Sequence, residues 1–279
     1  LGDPPAPRRE GGAVSPAATP SPAAAPVALR HRRSVRRLTA GQLTNLRQAI
    51  TAAQAIGDDR GYQHWAGIHG LPLPISCVHH RELFLPWHRA YLYFFEKALQ
   101  ERVPGVTLPW WNWTVEHQQG IPAAYAKRQA DGRKNPLFDS PIQPSGRERP
   151  SQARTTRAPG PPGELPSPEG VEAVLANRDF LTFQTQLESV HDGVHVWTGG
   201  TMADIAVAAY DPLFWAHHAM IDRLWYLWQL RHAGAGVPAQ LLDRALAPFP
   251  MTVRDTLDVS RLGYDYAAAT AAVEGPGRG

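Results

Sequence analysis

Residues 77–103 read CVHHRELFLPWHRAYLYFFEKALQERV, and the fold turns on this stretch. A helix is predicted from just after Pro86, carrying WHRAYLYFFEKALQER to Val103, where Pro104-Gly105 stops it. His88 opens that helix, and Glu96, eight residues on, shares its face. His79 falls in the loop ahead of it, two positions after Cys77, the chain's single cysteine. His80 is its immediate neighbour, so the stretch sets three histidines where a loop runs into a helix.

Helical patterning recurs on both sides. LTAGQLTNLRQAITAAQAIG (38–57) is read as a helix capped by Thr39 and ended at Gly57. Further helices are predicted across RDFLTFQTQLESVHDGVHVW (178–197) and PLFWAHHAMIDRLWYLWQLRHAG (212–234). Strand signals are short and scattered, so the fold class is mainly α, a bundle with long connections. LPWWNWT (108–114) reads as core packing, and the Pro/Arg/Ser/Gly-rich residues 140–168 as a long surface loop. Residues 1–28, mostly Pro, Ala, Gly and Ser, read as a flexible tail.

The 279 residues, 43% hydrophobic with nine tryptophans, suffice for a substantial core. A formal charge of +3 and one basic run, RHRRSVRR (30–37), do not make a nucleic-acid footprint; the run reads as a solvated arm before a helix. One cysteine excludes an intrachain disulfide and leaves the compartment undecided. No apolar run reaches the roughly 20 residues of a membrane span. A chain opening at Leu1 rather than Met is expected to have lost a leader, and no address is visible.

Twelve histidines punctuate the chain. His191 and His195, four apart, present both imidazoles on one helical face, a common metal-binding arrangement. In the next helix only one of His217 and His218 is expected to face the interior, the other pointing elsewhere. Asp222, one turn beyond His218, is placed to orient it or its neighbours. His69, in GIHGLP, is read as a loop residue at a helix end, and His64 as packing or surface. Two sets of three imidazoles, with few carboxylates nearby, suit two ions of copper or zinc.

HHRELFLPWHRAYLYFFE resembles the first copper-site signature of the type-3 copper proteins, the tyrosinases, catechol oxidases and molluscan haemocyanins. DPLFWAHHAMID (211–222) matches their second signature, VHDGVH their H-x-x-x-H element, and AGIHGLP their first ligand. The resemblance runs from about Arg32 to Tyr266. It implies a four-helix bundle housing a dicopper centre, with His69, His79 and His88 on one ion and His191, His195 and His218 on the other. It also implies a catalytic domain over residues 29–266 between the N-terminal tail and a C-terminal tail, 267–279. YDY (264–266) is similar to a motif that closes the core, with Arg32 or Arg33 as its partner. The thirteen residues after Tyr266 are too few for a shielding domain, so an open core is expected.

Cys77-x-His79 resembles the thioether crosslink of fungal tyrosinases and molluscan haemocyanins, which fixes a loop histidine that no helix restrains. The implied activity is dioxygen-dependent hydroxylation of monophenols and oxidation of ortho-diphenols to ortho-quinones. Alternatives on the same site are a catechol oxidase, an ortho-aminophenol oxidase and, further off, a dioxygen carrier. Glu188 fits the family's glutamate associated with phenol deprotonation, while Asp192 stands where the family has Asn. Expected partners are small phenols and a copper-delivery protein.

Overall fold

The computed structural model describes residues 29–115, 120–147 and 150–266, together with Gly2. The C-terminal tail and, apart from Gly2, the N-terminal tail read from the sequence lie outside the described residues. The first helix, α1 (Ala40–Gln54), opens with a reciprocal cap: Gln42 N–H donates to Thr39 Oγ1 at 3.2 Å, and Thr39 N–H to Gln42 Oε1 at 2.9 Å. It stops at Gln54, short of Gly57. α2 (Tyr62–His69) is absent from the sequence reading, and His69 is its last residue rather than a loop residue. Eight residues are too few for a helical period to register.

α3 (Phe84–Gln100) begins before Pro86, not after it, and ends at Gln100 rather than Val103. Proline is tolerated in a first turn because the N–H it lacks has no partner there. α4 (Ala123–Ala126) is a single turn. α5 (Pro168–Leu175) and α6 (Phe180–Thr198) are capped by Ser167 and Asp179, and α7 (Pro212–Arg231) by Asp211. α3 packs against α7 and α6, with α1 against α2 and α3 and α5 against α6 and α7, and side chains of α2, α3, α6 and α7 meet at one centre in a four-helix arrangement. α7 is its axis, buried without interruption from Pro212 to Trp225. Eight of the nine tryptophans are buried in the interior, Trp110, Trp111 and Trp113 among them, as the 108–114 reading required.

Among the described residues, the strands form two short pairs: β2 (Gln129–Ala130) antiparallel to β3 (Arg133–Lys134), and β1 (Arg30–Arg32) parallel to β4 (Tyr264–Tyr266). β1 corrects the reading of 30–37 as a solvated arm, because Arg32 is wholly buried. Its Nε donates to Glu96 at 3.0 Å, and its Nη1 to Asp222 at 3.1 Å and to Tyr266 at 3.0 Å. Its guanidinium lies 3.7 Å over the Tyr264 ring, which makes Arg32, not Arg33, the partner of YDY.

Asp222 is the centre of this network and not an orienter of His218. Arg89 Nε donates to it at 2.5 Å, Tyr264 at 2.7 Å and Tyr266 at 2.5 Å, all of them buried. Burial acts to raise its pKa, but Arg89 and Arg32 outweigh that and hold the carboxylate below its usual range. The 140–168 segment also differs from a plain surface loop. From it Arg157 reaches the buried Asp211, with Nε at 2.8 Å from Oδ2 and Nη2 at 2.5 Å from Oδ1. Asp211 Oδ1 also accepts from Leu213 N–H, so the irregular segment holds the cap of α7.

Asp222→Asn is expected to cost about 3–5 kcal/mol, because it leaves two buried guanidiniums under-compensated. Tyr266→Phe, which removes a hydroxyl that donates to Asp222 and accepts from Arg32 but leaves the charges paired, is expected to cost about 1.5–3 kcal/mol. Urea unfolding monitored by tryptophan fluorescence separates the two.

Candidate metal centre

Seven buried or half-buried histidines meet where the four bundle helices converge. His69 ends α2, His79 sits in the loop before α3, and His88 lies one turn inside α3. Their ring centroids are 5.3 Å (His69–His79), 5.7 Å (His69–His88) and 5.1 Å (His79–His88) apart. His191 and His195 project from one face of α6 and meet His218 of α7, their Nε2 atoms 3.1 and 3.2 Å from His218 Nε2. The clusters adjoin, with His88 stacked on His218 at 4.7 Å. His80 stands outside, its side chain 75% exposed, and His64 is exposed as well.

His217 departs from the sequence reading. It does not point away but is wholly buried beside the second cluster, stacked on His191 at 5.0 Å. Adjacent residues of a helix lie about 100° apart, and a helix enclosed on all sides turns both inward. Trp113 Nε1 donates to its Nδ1 at 3.2 Å.

The hydrogen bonds settle the tautomers. His88 Nδ1–H donates to the Phe84 carbonyl at 2.8 Å, and His195 Nδ1–H to the Met202 carbonyl at 2.7 Å. His191 Nδ1–H donates to Asp192 Oδ1 at 2.9 Å. Oxygens that only accept fix the proton on Nδ1, so the Nε2 lone pair of each ring points into the centre. His88 Nε2 and His69 Nε2 are buried with no protein partner. A single His218 nitrogen cannot donate well to two converging lone pairs. Nε2 lone pairs of His88, His191 and His195 turned inward on one centre, with the buried His69 Nε2 unpartnered beside them, fit a bound cation, and the all-nitrogen set fits copper or zinc. Gly199 and Gly200, with φ of 64° and 57°, make the turn that brings the Met202 carbonyl back onto His195. A Cβ at either would meet a backbone oxygen, of Ala158 at 2.5 Å or Thr156 at 2.2 Å.

A cavity of about 250 Å³ opens onto the centre, lined by His69, His79, His191 and His195 and walled by Met202, Ala203 and Ala208. Its rim carries His80, Asp192, Val196 and Ile205, the last two 71% and 43% exposed. Of the two carboxylates read from the sequence, Asp192 faces this cavity. Glu188 is buried behind it, Oε1 accepting from the His80 N–H at 2.7 Å, where His80 adopts φ of 54°. Burial pushes Glu188 up to about 6 and raises Asp192. Cys77 Sγ lies 3.3 Å from His79 Nδ1, and burial pushes its thiol up to about 12.

A profile of the common central domain of tyrosinase matches residues 59–231, which include every one of these histidines. The chain belongs to the tyrosinase family. A tyrosinase of Streptomyces glaucescens is 36% identical over 186 residues, covering 57% of this chain and 66% of that protein. Units G and H of a haemocyanin from the cuttlefish Sepia officinalis are 30% identical over 228 residues, 74% of this chain. The chain spans 39% of that haemocyanin sequence and 65% of a haemocyanin unit from the snail Helix pomatia. A functional unit of octopus haemocyanin superposes with a TM-score of 0.76 at 28% identity, over 86% of this chain and 68% of that one. A tyrosinase from Burkholderia thailandensis superposes at 0.77 and 22% identity, over 88% and 76%, and shares the fold. Tyrosinases and haemocyanins hold a pair of copper ions through histidines, the arrangement that the two clusters of this family member present.

The neutral imidazoles set an acid limit for the metal-free protein. Burial lowers His79 and His195 to about 4, and lowers His69, His88, His191 and His218 well below the usual value. In the unfolded chain these rings titrate near ~6.5, so below that pH the unfolded state binds more protons and stability falls; only the share from His79 and His195 levels off near about 4, as those two folded rings protonate. The urea midpoint of metal-free protein is therefore expected to drop between pH 7.5 and pH 5, and His195→Gln to flatten part of that slope.

Proposed function

We propose that this chain is a copper oxidase of the tyrosinase type, using dioxygen to hydroxylate monophenols and to oxidise ortho-diphenols to ortho-quinones. Residues 29–266 form its catalytic domain. The carrying observation is the pair of adjoining three-imidazole clusters beneath an open, largely apolar cavity. His69, His79 and His88 would hold one copper, and His191, His195 and His218 the other. Bound there, the two ions supply the oxygen activation and electron transfer that oxidation of a phenol ring requires.

The chain's own residues bind, orient and deprotonate. The wall of Met202, Ala203 and Ala208 receives an aromatic ring and keeps its surroundings dry. Free phenols have a pKa near ~10, so loss of the proton is a large part of the barrier at neutral pH. Asp192 would take that proton, a reading supported by its place in the cavity lining. Glu188 acts behind it, holding the His80 backbone and with it the rim. Catechols already carry the second oxygen and need no ring hydroxylation, so they depend less on this base. The haemocyanin relatives support a second reading, a dioxygen carrier, which the exposed rim of the cavity disfavours.

Copper-loaded protein is expected to hold two ions per chain and to turn over catechol and tyramine, while His218→Ala retains one ion and neither activity. Asp192→Asn keeps an oxygen for His191 but loses the base, so tyramine turnover should fall by about 10²–10⁴-fold and catechol turnover far less. Loss with Glu188→Gln and none with Asp192→Asn would assign the proton to Glu188. Reversible oxygen-dependent absorbance with no turnover of either phenol would establish the carrier.

The thioether between Cys77 and His79 belongs to the same proposal, supported by the sulfur's place beside the ring. A C–S bond replaces one S–H and one ring C–H, with the two electrons and two protons passing to dioxygen. Intact mass of copper-loaded protein is then two hydrogens below the sequence mass, with residues 77 and 79 in one crosslinked fragment. Quantitative alkylation of Cys77 in unfolded, previously active protein would exclude the bond.

A further inference from the structure

The second cluster contains one imidazole too many. His191, His195, His217 and His218 each offer a ring nitrogen within 4.8 Å of the others. A cation that took all four would have a closed nitrogen shell, whereas a metal that reacts keeps a position open. His217 is no bystander by position. It stacks on His191 at 5.0 Å with planes 14° apart, and its centroid is 4.8 Å from His195 and 5.3 Å from His218.

What sets His217 apart is its partner. A neutral imidazole has one lone pair, and the Trp113 indole N–H, which can only donate, points at Nδ1 from 3.2 Å. Nδ1 is thereby the acceptor and Nε2 carries the proton. Neither nitrogen then has a lone pair to give. The three neighbours show the opposite state, or none at all. His191 and His195 spend Nδ1–H on Asp192 and on the Met202 carbonyl, which frees Nε2, and His218 Nδ1 has no partner. Trp113 is wholly buried in the dense 108–114 aromatic stretch, so its indole has little freedom to turn away.

We infer that Trp113 is a positioning residue that withholds the fourth imidazole, His217, so that the second cluster offers three nitrogens and an open place. The inference rests on the reading of that cluster as a metal site. It makes the tryptophan, which does not line the cavity, a determinant of coordination number.

Zinc is the probe, because its binding can be measured without turnover. In a His88→Ala background, which leaves only the second cluster complete, Trp113→Phe is expected to tighten zinc binding by roughly tenfold or more. Adding His217→Ala to that protein should return the affinity to its starting value. Equal affinity with and without Trp113, or a gain that survives removal of His217, overturns the role given to Trp113. Failure of the His88→Ala protein to bind zinc at all overturns the metal-site reading beneath it. A second measurement does not depend on the variants folding. In protein with ¹⁵N-labelled histidine and no substitution, His217 Nδ1 should keep its unprotonated, indole-bonded signal when zinc is added. Movement of either His217 nitrogen to a metal-bound shift overturns the inference.

Discussion

Asp222 is a charge taken out of water and surrounded from several directions. Arg32 and Tyr266 come from the strands at the two ends of the described domain, Arg89 from α3, and Tyr264 from the same last strand. A buried carboxylate is tolerable only when its partners are held in place, and here the partners are the elements of the fold themselves. The demand fixes how α7 lies against α3, since Arg89 follows His88 and Asp222 stands one turn beyond His218. The Arg89–Asp222 pair thus joins α3 to α7 beside the level where His88 stacks on His218 at 4.7 Å, without touching either ring.

The same economy governs the centre. Buried imidazoles avoid charge, and acceptor-only oxygens decide which nitrogen of each ring keeps its proton. Backbone carbonyls do this at His88 and His195, where the sequence has no special residue beyond what shapes the backbone. At His195 that shaping is visible as Gly199-Gly200, the only residue type that lets the chain fold back within 2.2–2.5 Å of where a Cβ would stand. An ion-binding centre here is as much a property of loops that aim carbonyls as of the helices that carry ligands.

Much of this was legible beforehand, and the exceptions share a cause. The long helices α1, α3, α6 and α7 repeat often enough for periodicity and caps to reveal them, and the family resemblance named His79, which joins the first cluster, over His80, which stays exposed outside it. α2 was hidden because eight residues make only about two turns. Arg157 and Trp113 were hidden because their meaning lies in partners far along the chain, and Arg32 was reached only through the family resemblance, as one of two candidates for YDY. Local composition makes RHRRSVRR a solvated arm and 140–168 a surface loop, and only tertiary contacts overturn that. Asp222 illustrates the error from the other side. Its spacing from His218 is that of neighbours on a helix, yet the stronger claim came from two guanidiniums that no spacing rule could reach.

The pairing of β1 with β4 joins Arg30 to Tyr264 and Arg32 to Tyr266, across almost the whole described length. β4 is also the last described piece that a ribosome would release. Until it emerges, Arg32 has no strand beside it and Asp222 lacks two of its four donors, although every histidine of both clusters has long since been made. The ligands thus exist before the frame that spaces them. A metal ion arriving during synthesis would meet loose imidazoles free to adopt any geometry, whereas one arriving afterwards meets a finished mould.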